Sequence, residues 1–257
     1  SAQLTHTTFK MPKSTNETSG LEFFGDYLVT HNDSGDKPKL YLLTQEGQKV
    51  MEIELNQLKN KDWEDITADD KYYYIADTGN KSGTRENLRI YILEQNFIPK
   101  AEIYISYKAQ INFSKQAKSE FDAEGLAVVG EDLVLFSKNR KTMKSEIYTF
   151  PKAAGNYVLT PRAVIDSNAL ITAADYSQKE DLMVLTGYNF KGEQFLYTLK
   201  NFRKNGYDNI TLQRYNINIK PAQIEAIKII DDSNFWLSSE SEDKNNPRLF
   251  RFNLKVE

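Results

Sequence analysis

Residues 62–77 read DWEDITADDKYYYIAD: acids around one of only two tryptophans, a Leu/Ile-type anchor at Ile66, a polar turn, and an aromatic-rich run. Short runs of β-branched and aromatic residues bounded by Asp, Asn, Gly and Lys are strand signals. The question is why acids crowd the boundary of the first strand. Moving outward, RIYIL at residues 89–93 supplies a third strand of the same unit.

The unit recurs. Upstream it reads SGLEFF, YLVTHN, LYLL; downstream EGLAVV, LVLFSKN, EIYTF; then TAADYS, LMVLTGY, FLYTL; and last EAIKII, FWLSSES, RLFRF. The anchors are Leu21, Ile66, Leu126, Ala174 and Ile227, spaced by 45, 60, 48 and 53 residues. Each interval adds a fourth run, namely VMEIEL, EIYISY, VLTPRAVI and TLQRYNIN. Four-stranded units repeated at blade-sized intervals predict an all-β fold, a β-propeller. Helical periodicity is nearly absent, with 113–120 the only modest candidate.

The termini set the blade count. Behind Ile227 there is room for three strands but not a fourth, while LTHTTFK near the N-terminus is an orphan strand. That strand is expected to complete the fifth blade and hide its edge. The expectation is therefore one domain over residues 1–257, five four-stranded blades closed by the N-terminal strand. A sixth blade inside the 60-residue interval, or two stacked β-sandwiches, are the alternatives.

The repeat also places polar side chains. Two residues before each anchor stand Ser19, Glu64, Glu124, Thr172 and Glu225; near the end of the second strand stand His31, Asp77, Lys138, Gly187 and Glu240. Both columns are expected at one mouth of the central channel. Glu is disfavoured in strands, so three at one repeat position call for a reason. Glu64, Glu124, Glu225 and Asp77 are the candidate metal ligands. His31, Asn32, Lys138, Arg140, Tyr188 and Glu240 are candidates for binding a ligand. Asp62 and Asp65 read as local turn or surface groups.

Three readings of this acidic mouth stay open. A hard cation such as Ca²⁺, or another divalent ion, takes several carboxylate and carbonyl oxygens. Alternatively Lys138 and Arg140 neutralise the acids as a structural plug, or a glutamate of raised pKa performs acid/base chemistry with His31 or Lys138. The turns HNDSGDKP (31–38) and DTGNKSGTR (77–85) overhang the same mouth, and Asx turns explain their composition without a ligand. His6 lies in the closing strand and reads as structural.

Composition narrows the classes. Thirty-three Lys and Arg against 36 Asp and Glu give a net charge of -3 with no basic block, which argues against nucleic acid. Zero cysteines exclude disulfides and thiolate sites. No apolar run approaches a membrane helix. The chain starts at Ser1 rather than Met, which fits an exported, trimmed protein. GxSxG, HExxH and phosphate-loop signatures are absent. N-x-S/T tripeptides at Asn16, Asn32, Asn80, Asn112 and Asn209 are what a chain rich in these residues contains by chance.

The stretches SGLEFFGDYLVTHNDSGDKPKLYLL (19–43), DWEDITADDKYYYIADTGN (62–80) and FDAEGLAVVGEDLVLFSKNR (121–140) resemble the SdiA-regulated bacterial β-propellers and, more distantly, esterase-like phytase and gluconolactonase-type propellers. The resemblance covers residues 18–150 best. It implies an envelope or periplasmic location and divalent-cation binding in or near the channel. In gluconolactonase-type propellers acidic and amide side chains hold the central metal, and Glu64, Glu124 and Glu225 match by repeat position. The functional expectation is a monomeric binding propeller for a small molecule, glycan or protein; its rival is a metal-assisted hydrolase of lactones, esters or phosphoesters.

Overall fold

The computed structural model describes residues 2–219, 222–242 and 244–257. Five sheets are arranged around a central channel. Their innermost strands are Thr18–Phe24, Trp63–Ala68, Ala123–Val129, Leu170–Ser177 and Ile224–Ile229. Each of these touches the next, and the last returns to the first, so the ring is closed. Within every blade the first four strands run antiparallel outward from the channel.

The N-terminal strand Ala2–Lys10 pairs over its whole length with Arg248–Val256, from Ala2 opposite Val256 to Lys10 opposite Arg248. It is the fourth strand of the fifth blade, as the orphan strand required. His6 packs there against the rings of Phe250 and Phe252, with centroids 5.8 and 5.0 Å away.

The hydrophobic core is divided into five parts, one at each blade interface. The interface of the first two blades holds Leu40, Trp63, Ile66, Ile75 and Tyr91; the next holds Ile90, Ile103, Leu126, Leu135 and Tyr148. These are the alternate residues of facing sheets, which is why the repeat was visible as hydrophobic pattern. Each buried Leu, Ile or Phe contributes about 1.5–3 kcal/mol. Trp63 is fully buried, and its indole N–H donates to Lys59 O at 2.8 Å.

Two expectations need correction. VLTPRAVI is not one outer strand: Gly155–Leu159 joins the second blade as a fifth strand, parallel to Pro99–Tyr107, and only Ala163–Ile165 completes the third blade. Pro161 lacks an N–H and interrupts the ladder between them. Residues 113–120 form no helix. They belong to the connection from 108 to 122, pinned over the 79–88 loop by Gln110 Nε2 on Gly83 O and Gln116 N on Ser82 O. That connection, not a sixth blade, fills the long interval.

Candidate functional site

Every innermost strand carries an irregularity at the same place. The register with the second strand shifts between Thr18 and Leu21, Trp63 and Asp65, Ala123 and Gly125, Ile171 and Ala173, and Ile224 and Ala226. The residues inside these β-bulges are Ser19 with Gly20, Glu64, Glu124, Thr172 and Glu225, the first column read from the repeat. A bulged residue has no ladder partner and is re-aimed by the local twist. Glutamate is tolerated there because the position is not a regular strand position.

Glu64, Glu124 and Glu225 line a cavity of about 220 Å³ at the mouth. Ser19 and Thr172 are buried beneath it: Ser19 Oγ donates to Glu64 O at 3.0 Å, and Thr172 Oγ1 donates to Ile224 O at 2.8 Å.

The pairing corrects the second column, in which Lys138 and Glu240 stand at lining positions but His31, Asp77 and Gly187 do not. Thr18, Trp63, Ala123, Ile171 and Ile224 pair with Asn32, Asp77, Ser137, Gly187 and Ser239. The cavity is lined by the residues just beyond, Asp33, Lys138, Tyr188 and Glu240. A one-residue slip sends a side chain to the other face. Asn32 and Asp77, one residue short of the lining level, and His31, two residues short, do not line the cavity. The His31 ring is buried edge-on to Trp63, with Nδ1 3.0 Å from Asn32 O, and burial lowers its pKa to about 4. Asp77 is paired with Arg85 at 2.8 Å and accepts Asp62 N at 2.9 Å. Asn32 Nδ2 donates to Ser14 O and Asp36 Oδ2, each at 2.8 Å.

A third set was missed by sequence reasoning. Glu17, Asp62, Asp122 and Gln223 precede the first, second, third and fifth innermost strands, and all line the cavity. Their carbonyls accept from Asp33 N, Gly79 N, Lys138 N and Glu240 N at 2.7–3.2 Å, which locks each edge of the mouth. The signal was present as an acid or amide two residues before the bulge: Glu17-x-Ser19, Asp62-x-Glu64, Asp122-x-Glu124, Gln223-x-Glu225. Gly79 fits here because a Cβ would stand 2.1 Å from the Asp62 carboxylate and 2.5 Å from Glu64 Oε1. Asp65, by contrast, turns away and accepts Ile66 N and Leu126 N, at 2.9 and 3.0 Å, tying two blades together.

The lining holds eight carboxylates, Glu17, Asp33, Asp62, Glu64, Asp122, Glu124, Glu225 and Glu240, against Lys81, Lys138 and Arg140. Part of the acid is neutralised internally. Lys138 Nζ bonds Glu124 Oε1 at 2.9 Å and lies 4.9 Å from the Tyr188 ring centroid; Arg140 bonds Asp122 Oδ2 at 2.9 Å. Among the described residues Glu64 has no such partner. It meets Asp62, with which it can share a proton, and Ser19 Oγ at 3.4 Å.

One oxygen each of Glu64, Asp122 and Glu124 lie within 4.8 Å of one another, and all three side chains are buried. Glu124 Oε2 receives no N–H or hydroxyl donor. Glu225 approaches Glu124 but can satisfy it only by carrying a proton itself.

Burial, then the neighbouring acids Glu124, Asp62 and Asp122, holds the Glu64 carboxyl well above the usual carboxylate range. Glu124 is raised chiefly by burial, against the pull of Lys138. Burial opposes the charge on Lys138, yet Glu124 and Glu225 overcome it and raise its pKa. Glu225 and Glu240 are pushed up to about 7, each mainly by burial, and Asp33 to about 9 by burial and Glu17.

These raised carboxyls set a pH dependence. A carboxyl whose folded pKa exceeds its unfolded value contributes stability that is full below about 4.5 and is lost as pH rises through the folded value. His31 acts oppositely, but only between its lowered value of about 4 and 6.5. Above pH 6.5 the acids alone remain. In EDTA, the melting temperature is expected to fall by several degrees between pH 6.5 and 8.5, about 2–4 °C for each kcal/mol in a chain of this size. Differential scanning fluorimetry checks this, and a flat or rising profile would contradict the charge arrangement.

By sequence, no protein-family model and no curated protein matches the chain. Solved structures do resemble it. The PQQ-bound aldose sugar dehydrogenase of Streptomyces coelicolor shares 10% identity over 98% of this chain and 99% of that chain, with a TM-score of 0.57. A glucose dehydrogenase-type oxidoreductase of Thermus thermophilus shares 9% over 96% and 100%, TM-score 0.52. The WD40 repeats of RRP9 share 9% over 96% and 97%, TM-score 0.53. These likenesses are of β-propeller fold and carry no chemistry across. Among the described residues no helix is long and apolar enough to cross a membrane.

Proposed function

We propose that the protein is a binding propeller whose channel mouth holds a divalent cation, Ca²⁺ by ligand chemistry, between Glu64, Asp122 and Glu124. The observation that carries this reading is the trio of buried carboxylate oxygens within 4.8 Å, one of whose members, Glu124, keeps an oxygen with no donor. Oxygen-only ligands suit a hard cation, and three leave positions for water and a bound molecule, since Ca²⁺ takes about six to eight. In this reading Asp122 is a ligand where Asp77 was expected, and Glu225 stands beside the trio rather than in it. Work in the bacterial envelope, and kinship with the SdiA-regulated propellers, belong to the same proposal and rest on the quoted motifs.

Isothermal titration of EDTA-stripped protein with CaCl₂ and with MgCl₂ at pH 7.5 tests this. One Ca²⁺ site is expected, accompanied by proton release because the carboxyls must ionise to bind. Glu124→Gln should weaken it at least tenfold. Neither heat nor thermal shift at millimolar Ca²⁺ would sink the reading.

A second reading, metal-assisted hydrolysis, is favoured by Glu225 and Glu240, which titrate near neutral pH at the same cavity and so can exchange protons at working pH. Assay of the same protein on lactones, aryl esters and phosphoesters, with and without EDTA, decides between binding and turnover.

A further inference from the structure

We infer that the bound partner of this mouth is a neutral polyol, a monosaccharide or the terminal sugar of a glycan, whose adjacent hydroxyls complete the coordination of the cation. The inference rests on the cation reading and extends it to the ligand.

The coordination left open by Glu64, Asp122 and Glu124 faces the rest of the cavity. That wall is made by Glu17, Asp33, Glu225 and Glu240, with Gln223 and Tyr188. When ionised, its four carboxylates can only accept hydrogen bonds. Asp33 Oδ1 is buried without a donor, and so is Glu124 Oε2. Of the three basic residues of the lining, Lys138 and Arg140 are held by Glu124 and Asp122, which leaves Lys81, among the described residues, as the one cation facing eight carboxyl groups.

Three ligand chemistries can be weighed against this wall. A carboxylate or phosphate would coordinate the cation but meet a wall of Glu17, Asp33, Glu225 and Glu240 with only Lys81 of the described residues to offset it, and would push against every one of these acids that is ionised. An ammonium group would suit the acids but has no lone pair for the metal. A hydroxyl does both: its oxygen coordinates the cation and its proton goes to a carboxylate. Two neighbouring hydroxyls on one ring present both functions twice without adding charge. The volume, about 220 Å³, lies below the roughly 300–1,000 Å³ of drug-sized pockets, so the occupant is one sugar ring in size. The partly exposed Tyr188 ring at the cavity wall offers an apolar face to the C–H side of such a ring.

The test uses the full chain, loaded with Ca²⁺ and titrated calorimetrically with methyl α-D-mannopyranoside, methyl β-D-galactopyranoside and myo-inositol, and in parallel with gluconate and spermidine. At least one neutral polyol is expected to bind, to lose binding at least tenfold in EDTA, and to bind at least tenfold more tightly than gluconate or spermidine. Glu240→Ala should weaken the polyol tenfold or more while changing Ca²⁺ affinity less than threefold; Asp33→Ala serves if that variant does not fold. Calcium binding without polyol binding overturns this inference alone. Absence of the calcium heat sinks the cation reading and this inference with it. Polyol binding undiminished by EDTA, or tighter gluconate binding, overturns the coordination argued here.

Discussion

Glu64→Gln is expected to make the order of stability of variant and natural protein depend on calcium. Without metal at pH 8 the variant should melt several degrees above the natural protein. With saturating Ca²⁺ the order should invert. The reason lies in what faces Glu64: Asp62, Asp122 and Glu124 surround it, burial raises its pKa well above the usual range, and among the described residues no cationic side chain is paired with it. Ionised without metal it is an uncompensated buried charge, which is costly. An amide of the same shape removes that charge and offers N–H donors to the neighbouring carboxylates.

Calcium supplies the missing compensation only to the natural side chain. At a concentration one hundred times its dissociation constant, a cation stabilises by about 2.7 kcal/mol, or about 5–11 °C in a chain of this size. The variant should gain less than a third of that shift. Melting curves in EDTA and in CaCl₂ for both proteins provide the measurement. A variant less stable than the natural protein without metal, yet shifted equally by calcium, would show that Glu64 is neither strained nor a ligand.

The ring was readable because its cause is hydrophobic. Leu21, Ile66, Leu126, Ala174 and Ile227 recur as anchors since each fills the same place at a blade interface, and burial at a repeated position leaves a repeated residue type. The three glutamates were readable for a related reason, their fixed offset from those anchors. What could not be seen is the bulge at these glutamates themselves, because an unpaired extra residue leaves hydrophobic alternation on either side intact. Strand ends carry no hydrophobic anchor, and that missing landmark left the second column out of register: Lys138 and Glu240 stood at the lining level, Asp77 one residue short of it and His31 two. The unseen bulge also made Asp62 look like a turn residue, although the acid-x-Glu spacing of Asp62 and Asp122 was legible. The split of VLTPRAVI between two blades depends on tertiary pairing, which local pattern does not encode.

Lys138→Met should be the most damaging single change at the mouth, costing about 3–5 kcal/mol, the range for breaking a buried ion pair from one side. Lys138 is buried, bonds Glu124 Oε1 at 2.9 Å, and draws its raised pKa from Glu124 and Glu225. Its removal strands Glu124 with both oxygens lacking a cationic partner. The cost should be larger at pH 8 than at pH 6, since protonation of Glu124 and Glu225 relieves it, and urea unfolding at the two pH values measures this. Lys138→Met combined with Glu124→Gln should recover most of the loss, because Glu124 then carries no charge to be stranded. A single-variant cost below 1 kcal/mol with no pH dependence would dismiss the pair as a structural element. The same variant also ties the two competing readings of the mouth together. Lys138 acts as a built-in cation for one part of the acid cluster, and Glu64 belongs to the part it does not reach. With Lys138 gone, a soluble cation has more to neutralise, so Ca²⁺ should stabilise Lys138→Met by more degrees than it stabilises the natural protein.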